Sequence, residues 1–443
     1  MELTNHIHGA NVHKWMVAAA VVILCCIPFF RSYNLRDRPL GEDEIYWIGQ
    51  AYYFHLAFEE RDWSHPDWQL LPARENPALG KYVIGLGLRL DGLSVTTPDW
   101  LGVFYVIARD RPNAWGEGIA RQERQAVVDR MDASTREQAV KQNRFEYPVG
   151  YATTARAIML VFGAISIVSL FGLASLYMNL TSAFLAALLF SLHPAVVSAY
   201  TQVGVDILAI AFSLLAVICF VLTERRAWRM NSHPRLCRGL ICIGGGLSLA
   251  LAVGSKINAV TVGFLGATIC LQFIASFLRH KSEDANNSLK SMIALIVISL
   301  VIFVGSNPGN FPNPLKGIHA LYADQQRSLE VQKNIPAIRQ PLRSLKERLQ
   351  AVTDLTAFNP VIFLLVAGAF FFQIFAACKS GNPFPVIALW WLISIVAVTA
   401  WIPFARARYA LPVIAPSIIL ICGGIERLYQ AGASKMATRG KYP

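Results

Sequence analysis

Charged side chains are scarce in this chain. They make up 15% of its 443 residues, while 54% are hydrophobic; a soluble domain carries roughly a quarter charged residues. An ordinary soluble globular protein is excluded on that ground. A compact basic domain and any nucleic-acid motif are also missing. The formal charge of +12 therefore speaks for an anionic membrane surface and against nucleic acid as a partner. The eight cysteines show no metal-ligand spacing. Cys25 and Cys26 are adjacent, too close for an ordinary bridge, and read as helix filler. A disulfide-supported external domain is not expected. No small-residue cleavage site follows the first apolar stretch, "WMVAAAVVILCCIPFF"; "RSYNLRDRP" does, so a retained helix is expected there. No convincing internal repeat is visible.

What is present is a series of apolar windows near the ~20 residues that a spanning helix needs. They run approximately over 15–30, 151–173, 182–199, 204–222, 239–255, 258–277, 292–306, 358–377, 384–402 and 410–425. The expected fold is an all-α polytopic membrane bundle of about ten transmembrane helices. It forms a single domain over 1–430 with a short tail, 431–443. Short Lys/Arg-rich connections face the cytoplasm. "TERRAWRMNSHPRLCRG" carries five arginines, "RHKSEDANNSLK" three basic groups and the C-terminal "RLYQAGASKMATRGKYP" four. With ten spans and both termini inside, all three fall on one side. Two long segments, 31–150 and 307–357, are then external, and the first holds eighteen of the 28 acidic residues. Segment 77–93, "PALGKYVIGLGLRLDGL", is expected to lie along the membrane surface. An additional span there is the alternative, and it would reverse the later loops. Two more external helices are expected in "DEIYWIGQAYYFHLA" and "IARQERQAVVDRMDASTREQAVKQNRF".

The short stretch "GEDEIYW" puts Glu42, Asp43 and Glu44 just beyond the first apolar run. Carboxylates at that place suit the N-terminal turn of a helix, where they cap it and favour its dipole. They also suit a general base held at the lipid–water boundary. Polar groups recur at the same predicted level: Arg74, Glu75, Asn76 and Lys81, then Arg156, Asp206, Lys256 with Asn258, and Arg406 with Arg408. Each basic residue alone could anchor a helix end by snorkelling. Together they would hold a phosphate at the membrane surface. A departing phosphate needs electrostatic stabilisation more than a protonating acid. The residues name no metal site and no cofactor; a need for a divalent metal is left open.

The order of elements resembles the multispanning GT-C glycosyltransferases, in particular the protein O-mannosyltransferases and the aminoarabinose lipid A transferases. The resemblance rests on an early "DE" followed by aromatics, then "NPALGKY", "ARAIML", "GVDILAIAFSLLAV", "GGLSLALAVGSKINA", "GSNP" and "RYALPVIAP". It implies that Asp43 is the catalytic acidic position and Glu44 its companion. It matches Asn76, Lys81, Arg156, Lys256 and Arg408 to donor-phosphate or substrate-binding positions; Glu75, Asp206 and Arg406, read from their place at the same level, join them as candidates. The chain departs from both subclasses. "NPALGK" lacks the histidine and second proline of His-Pro-Pro-Leu-Gly-Lys, and Ile45 and Tyr46 stand where the aminoarabinose enzymes often carry arginine.

What the resemblance implies is transfer of a sugar from an undecaprenyl or dolichyl phosphate carrier to an external hydroxyl, with inversion. The polyprenyl-phosphate-linked sugar is then a substrate. Membrane lipids and an external protein, glycan or lipid acceptor are the partners. The expected place is a bacterial or archaeal cell membrane, with the site on the extracytoplasmic face. A membrane transporter and a non-catalytic lipid-glycan binding or assembly protein are the alternatives.

Overall fold

The computed structural model describes residues 2–32, 38, 41–69, 71–74, 76–96, 149–225, 233–280, 283–311, 313–333, 341–356, 360–380 and 385–439. The expected helix at 119–145 and the acid Glu75 lie outside the described residues. Among those described, the chain is helical and has no β-strand; an isolated bridge joins Pro341 and Phe404.

All ten apolar windows are helical, but they are not ten equal spans. Eight helices are long and apolar enough to cross a bilayer. They are α1 (Glu2–Arg31), followed after the segment described below by α4 (Val149–Ser175), α7 (Asp206–Glu224), α8 (Pro234–Ser255), α9 (Val260–His280), α10 (Glu283–Gly305), α13 (Pro360–Ser380) and α15 (Ala407–Arg439). The spanning part of α7 covers 19 residues at a mean hydropathy of 2.5. At 1.5 Å per residue that is about 28 Å, close to the hydrocarbon thickness. The protein is thus an integral membrane protein. Large apolar side chains left exposed on α1 and α13, such as Val22, Phe30, Leu364 and Phe371, are where lipid contact requires them.

The window 182–199 is not one straight span. It divides into α5 (Leu180–Leu192) and α6 (Pro194–Thr201), bent by 64°. Pro194 has no N–H to continue the first helix. His193 at the break accepts the Ala195 N–H on Nδ1 at 3.2 Å and so caps the second. Window 384–402 becomes α14 (Val386–Trp401), whose 16 residues reach only about 24 Å.

Between α1 and α4 lie α2 (Glu42–Gly49), a tight helical turn at Tyr52–Phe54 that runs on into a π-turn at His55–Glu59, and α3 (Ala78–Leu90). At 13 residues α3 is too short to cross a bilayer. It packs against α8 and α4 through its small residues. A Cβ on Gly80 would sit 2.5 Å from Val205 Cγ1, and one on Gly254 2.3 Å from Leu79 Cδ1. Those two glycines let α3 approach the head of α7 and the end of α8. The aromatic run of "DEIYWIGQAYYF" is turned inward: Trp47, Tyr52 and Tyr53 are buried. Two further helices, α11 (Pro314–Lys333) and α12 (Leu345–Leu355), lie between α10 and α13. The core runs through α4, α7, α8 and α10, each packed on the next, with α15 closing on α5 and α14.

Candidate functional site

Adjacent residues on a helix point about 100° apart, and α2 uses that to give its two carboxylates different surroundings. Glu44 points inward and is 3% exposed. Its carboxylate accepts both the Arg156 Nε–H at 3.0 Å and an Arg156 Nη2–H at 2.9 Å. It also accepts the backbone N–H groups of Gly41 at 2.9 Å and Val203 at 3.0 Å. Burial pushes the carboxyl pKa up, but the Arg156 hydrogen bonds and the two backbone N–H donors outweigh it. The net shift is below the ordinary carboxylate value. Glu44 therefore performs the helix-start role that the sequence offered to all three acids. It also ties α2 to α4 and to the 202–205 turn that precedes α7.

Asp43 does not cap the helix. It points outward with its side chain 57% exposed and accepts an Arg408 Nη1–H at 3.0 Å, with Arg406 Nη1 at 3.9 Å. The two arginines arrive on the break Ile402–Arg406 and the first turn of α15. Burial and the like charge of Arg408 pull the Arg406 pKa below its usual value, while Asp43 opposes them. Across the same opening Asp206, at the start of α7, pairs with Lys256 Nζ at the end of α8. Lys256 and Arg408 both lie over the ring of Tyr409, at 6.0 and 5.7 Å.

These groups line one cleft of about 370 Å³, formed by Asp43, Trp47, Ser198, Gln202, Asp206, Arg406 and Arg408 with small neighbours. A second, mainly apolar groove runs from Asp206, Lys256 and Arg408 between α7, α9, α14 and α15, past Ile210, Leu214, Val262, Leu411 and Trp390. Asp206 and Arg408 belong to both. A polar chamber thus opens directly onto an apolar groove. Three cations, Arg406, Arg408 and Lys256, face two carboxylates, so the junction carries an excess positive charge suited to an anion.

Of the residues singled out from sequence, Asp43, Asp206, Lys256, Arg406 and Arg408 are brought together. Arg156 is not: it is 4% exposed, held by Glu44, and donates an Nη1–H to the Arg38 carbonyl at 2.8 Å. Asn76 and Lys81 also lie apart from the cleft lining. Lys81 is fully buried and donates Nζ–H bonds to the Ala73 and Asn76 carbonyls, each at 2.7 Å, over the Tyr53 ring. That is a clamp closing the 73–81 turn. Trp47, Ser198, Gln202 and Tyr409 were not singled out from sequence. Gln202 lies within "YTQVGVDILA" and Trp47 within the aromatic run after "DE", so proximity to Asp206 and Asp43 was the available signal.

The sequence profile of the dolichyl-phosphate-mannose-protein mannosyltransferase family matches residues 139–311. That stretch includes Arg156, Asp206 and Lys256 but neither Asp43 nor Arg408. No curated protein matches the chain. Among solved structures, the Archaeoglobus fulgidus oligosaccharyltransferase in complex with Zn and sulfate superposes with a TM-score of 0.58 at 12% identity. It covers 97% of this chain and 52% of its own. The archaeal oligosaccharyltransferase AglB from the same organism, in complex with an inhibitory peptide and a dolichol-phosphate, gives 0.51 at 10% identity, over 97% and 52%. ArnT from Cupriavidus metallidurans bound to undecaprenyl phosphate gives 0.51 at 15% identity, over 94% and 60%. The chain thus spans about half the length of the oligosaccharyltransferase and three fifths of ArnT. It has the multispanning fold of these glycosyltransferases, and over residues 139–311 its sequence resembles the mannosyltransferase family.

Proposed function

We propose that this protein transfers a sugar from a polyprenyl phosphate carrier to the hydroxyl of an acceptor. The observation that carries the proposal is the junction at Asp206 and Arg408, where the polar Asp43 chamber meets the apolar groove. A polyprenyl phosphate has the same division, an anionic head on an apolar chain. Two solved neighbours are described with dolichol-phosphate and with undecaprenyl phosphate. The tail lies in the groove, the phosphate meets Arg406, Arg408 and Lys256, and the sugar enters the chamber beside Asp43. By the distribution of basic connections, the chamber opens on the extracytoplasmic side.

The magnitudes divide the two carboxylates between chemistry and structure. The Asp43–Arg408 pair is more than half exposed on its acidic side, so it is worth only about 0.2–1 kcal/mol. An arriving phosphate readily takes Arg408 from Asp43. The freed carboxylate then accepts the acceptor's hydroxyl proton while that oxygen bonds to the anomeric carbon. The bond from carbon to phosphate oxygen breaks on the opposite face, and its electron pair leaves with the phosphate, stabilised by the arginines. A single displacement inverts the anomeric centre. Arg156, expected from the sequence to meet phosphate, instead positions Glu44, and Glu44 holds the Val203 turn that lines the chamber.

The test uses purified protein with a polyprenyl-phosphate sugar, measuring transfer at saturating donor and donor binding separately. Asp43→Asn keeps the side-chain size and loses the basicity. It is expected to lower turnover by about 100- to 10,000-fold and to leave donor binding largely intact. Near-wild-type turnover in D43N would remove Asp43 as the base.

A further inference from the structure

A second cavity lies in the loops, with no residue in common with the Asp43 chamber. Its volume is about 820 Å³, and its lining includes Trp63, His65, Gln69, Asn313 and Lys316. A smaller recess of about 10 Å³ adjoins it and shares Gly309 and Gly317 with it. That is room for a single water or hydroxyl group. Asn310 lines the recess, is 3% exposed, and its amide nitrogen has no hydrogen-bond partner among the described residues. A buried donor without a partner calls for a ligand group to receive it. Gly317 keeps the recess open: a Cβ there would sit 2.6 Å from the Asn310 side-chain oxygen.

The lining selects the ligand. Among the described residues it contains Lys316 and no carboxylate, with Arg74 lining the adjoining recess; the rest is neutral, aromatic and amide-bearing, too polar for an acyl chain. Trp63 lines the cavity, is 39% exposed and stands roughly perpendicular to the Phe58 ring, 6.3 Å between centroids. It therefore presents an aromatic surface to the opening. The His65 Nδ1 accepts the Asp67 N–H at 3.2 Å, which leaves the neutral ring's proton on Nε2 as a donor. Gln69 and Asn313 add amides. An indole surface with imidazole, amide and ammonium groups around it matches a pyranose, which has an apolar C–H face and a rim of hydroxyls. We infer that this loop cavity is an accessory saccharide-binding site, with one sugar hydroxyl seated in the recess against the Asn310 amide and a ring stacked on Trp63. The inference does not depend on the transfer chemistry at Asp43.

The experiment measures binding of three trisaccharides, maltotriose, mannotriose and chitotriose, to the protein in nanodiscs by saturation-transfer NMR and titration calorimetry. At least one is expected to bind the wild type. Trp63→Ala, whose side chain is partly exposed and leaves no core cavity, is expected to weaken it by about tenfold or more. Asn310→Leu, which fills the recess without a donor, should weaken it similarly. If Asn310→Leu does not fold, Trp63→Ala still decides. Absence of binding by all three sugars overturns the inference. So does binding unchanged in Trp63→Ala, which would move the sugar to another cleft.

Discussion

Removing Arg156 acts on the buried carboxylate of α2 and leaves the exposed one alone. Arg156→Met takes away two charge-assisted hydrogen bonds from Glu44 and leaves a carboxylate that is 3% exposed with only the Gly41 and Val203 N–H groups. Breaking one side of a buried pair costs about 3–5 kcal/mol, because the remaining charge is stranded. At this chain length the melting temperature moves by at most about 2 °C per kcal/mol, so the fall should be a few degrees and at most about 6–10 °C. A dye that reports newly exposed thiols can follow melting, since Cys242, Cys270 and Cys422 are buried in the folded state. The double variant Glu44→Gln/Arg156→Met replaces the whole pair with neutral groups of similar size. A buried pair replaced together is often close to neutral, so the double variant should melt nearer the wild type than Arg156→Met alone. If the two losses simply add, the clamp is not a coupled pair and the reasoning fails.

The same pair sets an acid limit. The folded-state pKa of Glu44 lies below its ordinary value. Its contribution is therefore complete above the unfolded carboxylate's pKa, about 4.3, and is lost as pH falls through the folded value. Wild-type melting should decline below that point more steeply than melting of Glu44→Gln. Parallel curves would show that another carboxylate governs the acid limb.

Three further outcomes are expected. Arg408→Ala should weaken donor binding by about 10- to 100-fold, the worth of a charge-assisted contact to phosphate, as measured by titration with a polyprenyl phosphate; unchanged affinity would place the phosphate elsewhere. Lys81→Met should lower stability by about 1–3 kcal/mol for each carbonyl left unpaired with donor affinity unchanged. A selective loss of donor affinity at constant melting temperature would instead put Lys81 in the donor site. In a cysteine-accessibility map, a probe at position 229 should label from the cytoplasm and one at position 121 from outside, and the reverse pattern would invert the topology.

Much of the bundle was legible because apolar length is a local property. Ten windows could be read directly, and nine of them are each carried by one main helix, the tenth by the bent pair α5 and α6. The break at His193 was legible in part: Pro194 stands in the window, but the capping by the His193 ring depends on the fold. Length alone separated α3 from a span only once its ends were known, because "PALGKYVIGLGLRLDGL" is nearly as apolar as a true span. The site was harder to read. Charged residues at one predicted depth do not reveal which face of its helix each one occupies. Arg156 and Arg408 look alike in sequence, each near one end of an apolar run. One is consumed by a buried carboxylate and the other meets an exposed one, and that difference lies entirely in tertiary contacts.

Two acids at neighbouring positions need not share a task, and here the helix geometry keeps them apart. Were Asp43 as buried as Glu44, its ion pair would be held by the several kcal/mol that stranding a charge costs, and no substrate could borrow the arginine. Were Glu44 as exposed as Asp43, solvent would weaken the link between α2, α4 and the Val203 turn. Rotation by one residue on α2 gives each acid the surroundings its role requires. The inward acid fixes the place of α2 through Arg156 and Val203. The outward acid is thereby held at a set position above the Asp206–Lys256 pair, with a partner it can release. Misplacing a reacting group by about 1 Å can cost 100-fold in rate, so the strength of the buried contact is what allows the exposed one to be weak.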